Sequence, residues 1–136
     1  MVRIDIEYPG DLHTSCRHGP SGRELETDAP KDNQGRGESF SPTDLLATSL
    51  GSCMLTVMGI VARRHEWPLE GARVEVEKHM LDVPVRRVAR IALRFHMPQA
   101  LPSEARATLE RAAASCPVHE SLHPDVEVDA RFEWGD

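Results

Sequence analysis

The chain has 136 residues, 40% of them hydrophobic and 28% charged, and its 22 acidic and 16 basic side chains give a formal charge of −6. That length and composition suit a single domain over residues 1–136 and exclude a wholly disordered chain. The acidic balance and the 4% aromatic content argue against nucleic-acid and anionic-membrane partners, which need a basic footprint or a stacking platform.

The first residues, 1–8, alternate in part between apolar and polar, as a half-buried strand does. Pro9-Gly10-Asp11 marks a turn, 12–17 a second strand, 18–22 a second turn and 23–27 a third strand, together an antiparallel meander. Residues 29–39 are rich in Gly, Asp, Asn and Lys without an apolar period, and read as a loop, either functional or a plain connector. Ser41 has the marks of a helix N-cap. Pro42 fits the first helical position, and Asp44 completes a capping box at the positive end of the helix dipole. The helix is predicted to run to Arg63-Arg64, ahead of Pro68. From Leu45 to Ala62 it holds no charged residue, a length at the lower edge of a membrane span. Thr48, Ser49, Gly51, Ser52 and Thr56 interrupt that stretch, and nothing else suits anchoring. It is therefore read as a helix buried on nearly all sides, at the centre of a small protein or a dimer. Ala47 and Gly51, one turn apart, would admit another backbone, such as a second copy of the helix.

Residues 71–81 and 88–97 alternate as two strands of a hairpin with one wet face. A second helix is predicted over 101–116, with Leu101, Ala105, Leu109, Ala112 or Ala113 and Cys116 on one stripe. Pro117 forces a kink or a restart, and 118–122 adds a turn of helix. Val126, Val128, Ala130 and Phe132 alternate with charged residues as a final strand. The order of elements predicts an α+β fold with mostly antiparallel sheet.

Three cysteines are too few for a disulfide framework, and no apolar segment follows Met1, so the expected compartment is the cytosol, with reduced thiols. Cys53, inside the apolar helix, reads either as a core thiol or as a nucleophile. Cys116 sits where Pro117 restarts a helix, and that position favours a thiolate, the form that attacks peroxides and disulfides; the other reading is an ordinary helix-end cysteine. Cys16, beside Arg17 and His18, reads as structural. Cys116, His119 and His123 fall at spacings of three and four, and with Cys53 they would make a two-sulfur, two-nitrogen zinc set. Pro124 directly after His123 and the lack of closely paired cysteines argue against it, so no metal is expected. No Walker loop, dinucleotide-type glycine pattern or serine elbow occurs, and no cofactor is expected.

The segment Phe40-Ser-Pro-Thr-Asp-Leu-Leu-Ala-Thr-Ser-Leu-Gly-Ser-Cys53, taken with Ser115-Cys-Pro-Val-His-Glu-Ser-Leu122, resembles the OsmC/Ohr superfamily, in a less characterised OsmC-like branch. The order of elements matches as well, so the resemblance covers almost the whole chain. It implies an intertwined α+β homodimer with the long helices central and the sites at the subunit interface. It also implies a thiol-dependent peroxidase of stress defence, with Cys53 peroxidatic and Cys116 resolving. The substrate would be a small organic hydroperoxide, and the reductant a dithiol such as a lipoyl protein. The hydroperoxidase branches carry a glutamate after an Asn–Pro pair and an activating loop arginine. Here Ser41-Pro42-Thr43 occupies the first place, and the loop offers Arg36 and Glu38 as the candidate activating residues. The alternative is a non-catalytic member that binds a small molecule or senses redox state, with Cys53 and Cys116 as sensor or core.

Overall fold

The structure, a computed structural model, describes residues 1–98 and 100–135. Its elements are β1 (Ile4–Gly10), β2 (His13–His18), β3 (Glu24–Asp28), α1 (Pro42–Arg64), β4 (Arg73–Leu81), β5 (Arg87–Met97), α2 (Ser103–Ala114), α3 (Pro117–Ser121) and β6 (Glu127–Trp134), with a short 3-10 turn at Lys31–Asn33. The class is α+β, as the element order predicts. The chain divides into two compact units, residues up to Leu46 and residues from Ala47 onward, with α1 continuous across the boundary.

In the first unit β1, β2 and β3 form the antiparallel meander expected from the turns. The β1–β2 turn falls at Asp11 and Leu12, whose φ values of 56° and 58° are those of a primed hairpin turn that matches the strand twist. Pro9 therefore stays inside β1, where an edge strand with an irregular register between Glu7 and Gly10 tolerates a missing N–H. Ile6, Cys16 and Leu25 are cross-strand partners on one face, and Ile6 is 64% exposed there. His13 and Asp28 pair on the opposite, charged face.

In the second unit β5 is the central strand of β4-β5-β6. The β4–β5 hairpin is antiparallel as predicted, but β6 pairs with β5 in parallel. Alternation gives a strand's faces and not its direction. Here α2 and α3 form the crossover that a parallel neighbour requires. Ile91, Leu93, Phe95 and Met97 of β5 join Leu50, Met54 and Met58 of α1 and Leu109 of α2 in one core. Phe95 and Phe132, in register across the parallel pair, stack with centroids 4.6 Å apart. The other face of the sheet is wet, as expected. It carries Arg90 Nη2 at 2.6 Å from Asp129 Oδ2 and Arg94 Nη2 at 2.6 Å from Glu133 Oε1.

Two expectations about α1 need correction. A Cβ on Gly51 would lie 3.0 Å from Val76 Cγ2 and 3.3 Å from Val74 Cγ1, so the Ala47–Gly51 face admits the chain's own sheet and not a second copy of the helix. The helix is also not enclosed within one chain. Its buried residues follow the stripe Ala47, Leu50, Gly51, Met54, Met58 and Ala62, while Leu46, Ser52, Thr56 and Ile60 are exposed. Only 33% of its most apolar window is buried, although by length and composition it could cross a membrane. The α2 helix stops earlier than predicted, at Ala114, with Ala113 rather than Ala112 on its buried stripe. It is held beside β6 by Trp134 Nε1–H, which donates to Glu110 Oε1 at 3.0 Å.

Candidate functional site

Cys53 lies at the start of the fourth turn of α1, and the start of that helix is fixed locally. Ser41 Oγ accepts the Asp44 N–H at 3.0 Å, and Asp44 Oδ2 accepts the Ser41 N–H at 2.8 Å. This is the reciprocal capping box read from the sequence, with Asp in the place of Glu. The box sets the helix phase, and the apolar stripe then turns Leu50 and Met54 fully into the core. Cys53, between them in sequence, is left half-buried at the edge of that core.

Cys116 is positioned by a helix break. Ser115 ends α2 and Pro117 opens α3 at N1, the position that needs no N–H. Cys116 is the N-cap between them, and its Sγ accepts the His119 N–H at 3.4 Å. Its residue is 0% exposed. Burial pushes the Cys116 thiol above the ordinary value of 9.0. The His119 N–H acts in the opposite direction, and the neighbouring Cys53 side chain adds to the rise. The helix start acts on Cys116 in the expected direction but does not set the net shift. The N–H contact exists as expected, but loss of hydration outweighs it. The fold brings Cys53 and Cys116 together as two free thiols of unequal exposure.

Arg36 and Glu38 lie in the first unit and are brought together there. Arg36 Nη2 is 3.7 Å from Asp11 Oδ2, an exposed pair. The Glu38 N–H donates to Asp28 Oδ2 at 3.1 Å. Both residues, with Asp11, His13, Glu26 and Asp28, line a charged hollow of about 290 Å³. From the sequence His13 reads as a surface residue without ligand spacing, and Asp28 is given no role. Their signal was the hairpin spacing, which makes them cross-strand partners.

A larger hollow, about 720 Å³, runs along the exposed side of α1 past Thr56, one turn beyond Cys53, and includes Leu55, Ile60, Trp67 and Leu69. Trp67 and Leu69 were also passed over, because the stretch after the helix shows no period. The α3 helix ends at Ser121 and Leu122 is extended, so the helical face through Cys116 and His119 does not reach His123. Among the described residues no group of three or more His, Cys, Asp or Glu is placed to hold a metal.

The family model described as OsmC-like protein matches residues 35–131. A solved structure from Psychrobacter arcticus 273-4, named provisionally as an osmotic stress induced and detoxification response protein, is 45% identical. It aligns over 98% of this chain and 96% of that one, with a TM-score of 0.93. An organic hydroperoxide resistance protein OsmC from Legionella pneumophila is 18% identical over 98% and 96% of the two chains, with a TM-score of 0.79. An OsmC-like protein from Mycoplasma pneumoniae is 16% identical over 100% and 98%, with a TM-score of 0.81. The last two share the fold. No curated protein sequence matches the chain.

Proposed function

The chain belongs to the OsmC-like protein family, and on that premise we propose that it is a two-cysteine, thiol-dependent peroxidase acting on organic hydroperoxides. The observation that carries the reading is the unequal thiol pair. Cys53 is half-buried at the rim of the core, and Cys116 is buried beside it with its thiol held protonated. A peroxidatic sulfur must meet substrate. A resolving sulfur must wait until a partner forms.

The chemistry closes on these two groups. The Cys53 thiolate attacks one peroxide oxygen, the O–O bond breaks, and the alkoxide leaves as the alcohol after taking a proton. Cys53 is then a sulfenic acid. The Cys116 sulfur attacks that sulfur, its proton leaves with the hydroxide as water, and a disulfide forms. A dithiol, such as a lipoyl protein, returns both thiols by exchange and is itself oxidised to a disulfide. The 720 Å³ hollow along α1 suits the alkyl part of an organic hydroperoxide, since Leu55, Ile60, Trp67 and Leu69 line it.

Arg36 and Glu38 are proposed as the activating residues on the family resemblance, with Thr43 in the place of the branch glutamate. A homodimer is proposed as well, in the cytosol. In its support, Ile4, Ile6 and Tyr8 form an exposed apolar row on β1 in the first unit, and Ile60 is exposed on α1 in the second.

The test is intact mass and peptide mapping after one equivalent of cumene hydroperoxide with no reductant. The expected result is loss of two hydrogens, mapped to a Cys53–Cys116 bridge, followed by turnover once a dithiol is added. Thiols left unmodified in folded, reduced protein would refute the peroxidase reading and favour a ligand-binding or redox-sensing member.

A further inference from the structure

The loop that carries Arg36 and Glu38 is tied to the first sheet by one carboxylate. Asp28 ends β3 and is 5% exposed. Its Oδ1 lies 2.7 Å from His13 Nδ1, and its Oδ2 accepts the Glu38 N–H at 3.1 Å. Its own N–H donates to Phe40 O at 3.1 Å, and Ser39 Oγ donates to Glu26 O at 2.9 Å. The loop is also tight at its root, because a Cβ on Gly35 would lie 1.7 Å from Ala29 O. The charged groups around His13 are Asp11, Glu26, Asp28, Arg36 and Glu38. Of these, Asp28 and Glu26 meet its ring, Glu26 Oε1 at 3.5 Å from Nε2.

We propose that Asp28 and His13 are positioning residues for Arg36: the Asp28 carboxylate, steadied by the His13 ring, is the strut that fixes the 36–39 segment. A carboxylate can accept from both donors because each of its oxygens is an acceptor. An alanine in its place removes both acceptors and leaves the Glu38 N–H and the His13 ring without that partner. The consequence for Cys53 rests on the proposed activation of that thiol by Arg36, whereas the strut itself does not.

The experiment uses the full chain and two readouts. The first is hydrogen exchange at the Glu38 amide in the wild type, Asp28→Ala, His13→Gln and His13→Leu. Exchange is expected to speed up by about tenfold or more in Asp28→Ala and in His13→Leu, and by less in His13→Gln, which keeps a donor. The second is the rate of Cys53 alkylation as a function of pH, in the wild type, Asp28→Ala and Arg36→Ala. If both proposals hold, Asp28→Ala and Arg36→Ala slow alkylation alike, and the double variant is no slower than either. If the Glu38 amide is released but Arg36→Ala leaves alkylation unchanged, the strut stands and the activation reading fails. An unmoved Glu38 amide in folded Asp28→Ala overturns the strut. Should that variant fail to fold, the same amide in His13→Leu decides it.

Discussion

Differential alkylation of the two central thiols tests whether burial, and not helix-end electrostatics, sets their roles. An ordinary thiol at 9.0 is about 3% thiolate at pH 7.5, and burial puts Cys116 below that fraction. A reagent must also reach a sulfur whose residue is 0% exposed. The least opening that frees it is loss of α3. That breaks the His119 N–H contact to Sγ, the Glu120 N–H bond to Cys116 O at 3.0 Å and the Leu122 N–H bond to His119 O at 3.3 Å. At about 1 kcal/mol for each bond, opening costs about 3 kcal/mol, or about 150-fold in rate. Iodoacetamide at pH 7.5, in a Cys16→Ser background and read by peptide mapping, is expected to label Cys53 about 100-fold faster than Cys116. In denaturant the two rates should converge. Labelling of Cys116 within about threefold of Cys53 in the folded chain would refute the reasoning, because neither burial nor the cap would then be limiting.

The capping box predicts that Ser41→Ala and Asp44→Ala each lower stability by about 1 kcal/mol, and that the double variant loses less than the sum, because the two bonds are reciprocal; urea midpoints check this. Leu109→Ala removes a fully buried side chain from the core and should cost about 2–5 kcal/mol by the same measurement. His13 titrates above its ordinary 6.5, chiefly through its bond to Asp28, and Asp28 titrates below its ordinary 3.8, chiefly through its bond to His13. Their mutual stabilisation is full between those two ordinary values. It is lost as pH rises through the raised His13 value, and also as pH falls through the lowered Asp28 value. The midpoint gap between the wild type and His13→Gln should close in both directions, and a gap independent of pH would contradict the pairing. Ile60→Glu should shift the proposed dimer toward monomer in sedimentation equilibrium while leaving the far-UV spectrum unchanged.

Local features were legible in the sequence, and features that depend on what packs against a residue were not. The capping box lies within four residues, so Ser41, Pro42 and Asp44 announce it without help from the rest of the chain. The hairpin of β4 and β5 was readable for the same reason. The parallel seat of β6 was not, since alternation is the same in either direction. Gly51 was read as small without its neighbours Val74 and Val76, which come from a strand more than twenty residues away. The upward push on the Cys116 thiol was hidden for the same reason. Pro117 gives the helix start, but the core that dehydrates the sulfur is assembled from α1, β5 and α2. The expectation that Cys53 pairs with Cys116 comes from the family resemblance, since spacing alone does not give it.

The outer face of α1 supports the dimer proposal by comparison with α2 in the same chain. The α2 helix exposes or half-exposes Glu104, Arg106, Glu110 and Arg111, the charges expected of a helix that water covers on one side. The α1 helix, nearly twice as long, carries no charge between Asp44 and Arg63, and it turns Leu46, Ser52, Thr56 and Ile60 outward. A face without charge costs little when a second protein surface covers it. Left in water, it keeps Leu46 and Ile60 exposed among the hydroxyls of Thr48, Ser52 and Thr56. The hollow beside Thr56 opens on this same face. A second copy seated on it would also narrow the approach to Cys53, so substrate selection and assembly would draw on the same residues. Ile60→Glu is accordingly expected to change reactivity toward bulky hydroperoxides more than toward small ones.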